Sequence, residues 1–132
     1  MNTENNANLA AFLLRLVTGA WFLTHGLIKL FVFTPAGTAG YFQSIGLPGA
    51  LGYLTMLLEI AGGLALLAGV ATRYVSVVLA AVLLGATWFG HAGNGFTFSN
   101  PGGGWEYPVL WAVVMLALAL LGDGRWSLAK RG

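Results

Sequence analysis

Residues 9–33 read LAAFLLRLVTGAWFLTHGLIKLFVF, and the stretch Trp21–Lys29 within them, WFLTHGLIK, decides the kind of fold. The run is long and apolar enough to cross a bilayer, for which about 20 residues suffice. Yet it carries Arg15, His25 and Lys29. His25 and Lys29 lie one helical turn apart, so their side chains leave a helix on the same side. An ionisable group at such depth costs roughly 2.5–3.5 kcal/mol on insertion scales, and it turns inward to a partner. A helix of this kind needs neighbours, which the rest of the chain has to supply.

The whole chain suits the same solvent. Of its 132 residues, 58% are hydrophobic and 8% charged, where a soluble domain carries roughly 25% charged residues. The mean hydropathy is +0.79. The formal charge of +2 rests on six basic and four acidic residues with no basic tract, so no nucleic-acid partner is expected. The absence of cysteine excludes disulfides, thiol relays, iron–sulfur ligation and CxxCH haem attachment within this chain. The opening MNTENNAN carries Glu4 and no basic residue, so the first apolar segment is expected to be retained and not cleaved as a signal peptide.

Four apolar segments stand out, at about 9–33, 50–71, 74–91 and 107–121. They predict one all-α domain over 1–132, a membrane four-helix bundle in up-down-up-down order. Only Thr72 and Arg73 separate the second and third segments, which must form an antiparallel hairpin. The connections 34–49 and 92–105 then share the opposite face. Arg73, Arg125, Lys130 and Arg131 all fall on the terminal face, while the two longer loops hold no Lys or Arg. This asymmetry puts both termini in the cytoplasm of a bacterial inner-membrane protein, with the lipid bilayer as its first partner. Residues 38–45, TAGYFQSI, read as a short interfacial helix in the first outer loop, with Gly46 as its stop. The loop 92–105 is glycine-rich and turns at Asn100–Pro101.

Depth along the helices gathers the polar groups. At about 1.5 Å of rise per residue, Glu59 on the second segment reaches nearly the level of His25. Gly52, Thr55, Glu59, Gly62 or Gly63, and Leu66 share one stripe, and small residues permit close helix approach in membranes. Glu59 therefore faces protein, and His25 or Lys29 is its nearest cation. His91 and Glu106 sit at the outer rim. Arg15 lies nearer the other face and is expected to snorkel to the interface. Most aromatics also fall in the outer half, including Tyr53, Trp88, Tyr107 and Trp111. An interfacial belt explains many of them, but a belt occupies both faces. The excess points to a pocket for a flat ring such as a quinone head group. A bis-histidine haem b on His25 and His91 fits less well, because their depths differ by about 10 Å. A metal site from His25, His91 and Glu106 has no better support.

In this order the residues resemble the DoxX family, which includes the DoxD-type small subunit of thiosulfate:quinone oxidoreductase. The resemblance runs from Arg15 and GAWFLTHGLIKLF through GLPG at 46–49 and Glu59 with IAGGLALLAGVATR. It continues through His91 with NGF at 94–96, then GGGWEYP, to the tail GDGRWSLAKRG. It implies a four-helix integral membrane protein linked to quinone-coupled sulfur oxidation or to membrane complexes defending against oxidative stress. The chain is shorter than a DoxD-type subunit and has no thiol.

The expected function is an inner-membrane component of a quinone-linked oxidoreductase system. His25, Lys29 and Glu59 form its centre: the first two bind a quinone oxygen or an anionic reductant, and Glu59 holds their charge state. His91 and Glu106 pass protons at the rim, and Tyr107, Trp88 and Tyr53 line the substrate pocket. Further partners would be a redox subunit or a second copy of the chain. The alternative is a non-enzymatic assembly or scaffold subunit whose buried charges hold helices in register. A small-solute or proton carrier is a third reading, for which no inverted repeat is evident.

Overall fold

The computed structural model describes residues 2–128, and every regular element among them is helical. Five α-helices follow in order: α1 (Thr3–Phe31), α2 (Pro35–Ser44), α3 (Gly49–Ala68), α4 (Thr72–Ala86) and α5 (Glu106–Leu121). A π-helical turn, Thr87–His91, and a 3-10 turn, Ala92–Asn94, extend α4. Three of these helices, α1, α3 and α4 with its extension, are long and apolar enough to cross a membrane. At 16 residues α5 is a shorter apolar helix, about 24 Å at 1.5 Å per residue.

Local chemistry, and not hydropathy alone, sets the boundaries. α1 begins six residues before the apolar run because the Asn2 side chain accepts the Asn5 N–H at 2.8 Å, with Glu4 in the first turn. α3 stops at Ala68, short of the expected 71, because Gly69 turns left-handed at φ +75°. The Val70 N–H then reaches Ala65 O, the closure typical of a glycine-terminated helix. The continuous helix expected to His91 breaks at Thr87 into the π turn, where the Ala92 N–H bonds Thr87 O. Such a turn inserts one residue and re-aims the side chains after it.

α1 packs most extensively on α3, and α4 on α5, whereas α1 and α5 meet only sparsely. Glycine sets the α1–α3 approach: a Cβ on Gly63 would lie 2.7 Å from Leu23 N and 2.8 Å from Gly19 O. Backbone thus rests on backbone, the small-residue contact of membrane helices. Of the stripe expected to face protein, Gly52, Glu59, Gly62, Gly63 and Leu66 are buried and Thr55 is half-buried. Around it lie Phe22, Leu79, Leu83, Trp111, Met115 and Leu118, the main apolar core. Many large apolar side chains, among them Leu57, Val77, Leu110 and Leu120, point outward.

α2 buries Thr38 and Ala39, while Tyr41 is exposed and Phe42 and Ile45 are half-buried. It lies on α3 where Gly52 leaves room, a Cβ there meeting Ala39 Cα at 3.2 Å. The Tyr41 hydroxyl reaches the π turn, within 3.1 Å of the position a Cβ on Gly90 would take.

The opposite end of the bundle is tied by residues 122–128. Arg15 does not snorkel. It is 1% exposed, and its guanidinium donates to Leu66 O at 3.1 Å, Trp126 O at 3.2 Å and Arg125 O. Three carbonyls from α3 and the tail accept its protons, which is what permits burial of the charge. The tail adds Arg125 N–H to Asn8 O and Leu128 N–H to Ala68 O. Asp123 accepts the Thr72 N–H at 3.2 Å, supplying α4 with the cap that Ala71 lacks. Arg73 donates to Ala119 O and Leu120 O at the end of α5, where a cation also suits the helix dipole. Lys130 and Arg131, counted with Arg73 and Arg125 in the charge asymmetry, lie outside the described residues.

Candidate functional site

Gly26 brings α1 against α3 at the level of Glu59. A Cβ there would stand 3.0 Å from Ile60 N and 3.3 Å from Glu59 Cβ. Lys29 is one turn further along α1, and side chains on a helix lean toward its N-terminus. Its long stem therefore returns to the Glu59 level. Lys29 Nζ lies 2.8 Å from Glu59 Oε1, with the two side chains 20% and 7% exposed. That spacing is within the roughly 2.7–2.9 Å of a charge-assisted hydrogen bond. Above the pair, the Thr38 hydroxyl of α2 donates to Lys29 O at 3.4 Å.

His25 does not join this pair. α1 sits between α3 and α5, and the four-residue step from His25 to Lys29 rotates about 40° beyond a full turn. The flexible ammonium stem reaches α3, while the shorter imidazole ends against α5. The His25 ring lies 5.3 Å from the Trp111 ring, centroid to centroid, and is half-buried. Its ring nitrogens have no hydrogen-bond partner among the described residues.

Trp111 is the hinge of an aromatic array that sequence reading placed in the outer half but did not single out. Phe22 packs on it at 4.4 Å and Tyr107 at 5.8 Å. Phe98 follows Tyr107 at 5.2 Å, and His91 follows Phe98 at 5.8 Å. The two histidines thus stand at opposite ends of a run through Trp111, Tyr107 and Phe98. The available signal was the four-residue spacing of Tyr107 and Trp111, which stacks them on one face of α5.

His91 and Glu106 both serve the loop between α4 and α5. His91 Nδ1 lies 2.8 Å from Gly103 O, an oxygen that also accepts from Asn94 Nδ2 at 3.0 Å. Glu106 Oε2 accepts the Phe98 N–H at 2.9 Å. Trp105 N–H to Gly95 O and Glu106 N–H to Phe96 O close the loop on itself. Among the described residues no three His, Asp or Glu side chains gather as metal ligands do. His25, His91 and Glu106 are accordingly not one cluster. Trp88 and Tyr53 point outward, 74% and 43% exposed, and line neither groove described below.

Two apolar grooves flank the bundle. One, about 340 Å³, runs between α3 and α4 past Leu58, Ala61, Tyr74 and Val78. The other, about 240 Å³, runs between α1 and α5, with Trp21, Tyr107 and Trp111 among its walls. The second shares Trp111 with His25. Flat aromatic walls beside an imidazole able to donate or accept a proton suit a planar carbonyl compound.

The profile of the DoxX family matches residues 10–92. The chain belongs to the DoxX family. The matched part of this DoxX protein includes Arg15, His25, Lys29, Glu59 and His91, and stops before Glu106, Tyr107 and Trp111. Family membership together with the long apolar helices makes it a membrane protein. A curated relative from Bacillus subtilis (strain 168), named "Putative oxidoreductase CatD", is 41% identical over 78 residues. Those residues are 59% of this DoxX chain and 57% of the relative, so the match spans little more than half of that protein. No solved structure matches.

Proposed function

We propose that this DoxX protein is an integral component of a quinone-linked oxidoreductase system in the bacterial inner membrane. One observation carries the proposal: a half-buried imidazole, His25, stacked on Trp111 in a membrane helix, with no hydrogen-bond partner among the described residues. An ionisable side chain within a membrane helix marks a candidate functional position. The oxidoreductase name of the relative agrees with this assignment.

In this reading the quinone ring lies against Trp111 and Tyr107. His25 hydrogen-bonds one ring oxygen and holds or releases a proton there. The Lys29–Glu59 pair beside it sets the local field. When bound, the quinone supplies two-electron, two-proton redox chemistry. His91, with Nδ1 tied to Gly103 O, offers Nε2 at the rim for proton exchange, while Glu106 holds the loop that carries it.

The accompanying membrane arrangement is four spans in up-down-up-down order, with α2 along the outer interface and both termini cytoplasmic. Gly19 meeting Leu67 while Gly26 meets Ile60, and Arg73 reaching Leu120, agree with alternating directions. α5 at about 24 Å falls below the ~30 Å hydrocarbon thickness, and flanking Trp105 and Arg125 allow a snorkelling fit.

The test is solvent extraction of the purified protein. Quinone should be recovered with wild type and lost from His25→Ala, while circular dichroism and Lys29–Glu59-dependent stability persist. Recovery of no quinone from wild type refutes the proposal. A scaffold role is favoured by a different observation: Lys29–Glu59 and the Arg15 clamp each join α1 to another segment. That reading expects Glu59→Gln to reduce partner recovery with turnover unchanged.

A further inference from the structure

We infer that the groove between α1 and α5 receives the apolar tail of the lipid whose ring lies at Trp111. This deepens the quinone reading above and rests on it. The groove is walled by Leu14, Val17 and Thr18 of α1 and by Leu110, Trp111 and Val114 of α5. Between Leu14 and Trp21 it follows α1 for about 10 Å at 1.5 Å per residue. Tyr107 and Trp111 line the groove itself, so groove and ring site share a wall.

Three features select a tail over a polar ligand. First, away from the aromatic end the groove is lined by Leu14, Val17, Leu110 and Val114, and the Thr18 hydroxyl there already donates to Leu14 O at 2.6 Å, so that end calls for no hydrogen bond. Second, α1 and α5 pack less closely than either tight pair, leaving a slot along the line a chain would take from the ring. Third, the α3–α4 groove is larger but contains neither Tyr107 nor Trp111, which line the α1–α5 slot. Continuity with the aromatic array, and not size, picks the α1–α5 slot. An isoprenoid chain leaves lipid for a protein groove with little hydrophobic gain, because acyl chains are equally apolar. Its contribution is van der Waals fit and orientation of the ring toward His25.

The test uses the full chain in lipid nanodiscs with two probes, a tail-less benzoquinone and the same ring bearing an isoprenoid tail. Binding is read by tryptophan quenching in wild type, Val17→Phe, Val114→Phe and, as a control, Ala61→Phe in the other groove. Wild type and Ala61→Phe should bind the tailed probe about tenfold more tightly than the tail-less one. Val17→Phe and Val114→Phe should lose that tenfold while binding the tail-less ring unchanged. A tail advantage that survives in both groove-filled variants overturns the inference but leaves the ring site intact. Equal binding of the two probes by wild type does the same, and a phospholipid filling the slot would give that result. Failure of wild type to bind either probe overturns the quinone reading itself.

Discussion

Breaking the Lys29–Glu59 pair from either side should have unequal effects. Lys29→Met leaves a carboxylate that is 7% exposed without its cation. Removing one partner of a buried pair costs about 3–5 kcal/mol. Glu59→Gln instead leaves an ammonium that is 20% exposed, close to the end of α1 at Phe31. Its stem can swing outward, so the cost should be nearer 1–2 kcal/mol, within the range for an unsatisfied donor. The double variant removes both charges and should cost only about 1–2 kcal/mol, that of a buried amide left without a partner. The coupling energy of the cycle, the two single losses less the double loss, is then about 4–5 kcal/mol. Titration from mild detergent into SDS, followed by circular dichroism, gives all four free energies. Equal costs for the two single variants would refute the burial argument. A double variant whose loss equals the sum of the singles would refute the pair.

Other outcomes follow from the packing. Arg15→Met should orphan the carbonyls of Arg125 and Trp126, leave Leu66 O with the Gly69 N–H alone, and cost about 2–4 kcal/mol; amide exchange at Leu128, bonded to Ala68 O, should accelerate first. Gly63→Ala should cost about 1–3 kcal/mol because its Cβ meets backbone, whereas Gly85→Ala, with open space, should stabilise by about 0.5–1 kcal/mol in the same SDS titration. Glu106→Ala should release the Phe98 amide to exchange, while Glu106→Gln retains an acceptor and protects it.

The helical, membrane-adapted character of the chain was legible because hydropathy and segment length depend on composition alone. Lys29 meeting Glu59 followed from depth and from a small-residue stripe that forced the carboxylate inward. His25 turning to Trp111 did not follow, because a 40° offset on α1 selects between α3 and α5 only once both are in place. Arg15 was misread because its partners are backbone carbonyls, which leave no trace in residue types. Its acceptors at 125 and 126 lie more than a hundred residues away, on a tail whose turn at Trp126 takes φ +51°. The break at Thr87 was equally hidden, since a π turn keeps the hydropathy of the helix it interrupts. His91 and Glu106 were correctly placed beside the α4–α5 loop, but their bonds to Gly103 and Phe98 depend on how its glycines fold back.

The central claim is a flat ring seated between α1 and α5 at Trp111. A photoreactive quinone analogue, cross-linked in native membranes and mapped by peptide mass spectrometry, tests it most directly. Label should fall on Trp21–His25 of α1 and Tyr107–Trp111 of α5, and excess unlabelled quinone should compete it away. Label confined to α3 and α4, or spread evenly over lipid-facing residues without competition, would contradict the site.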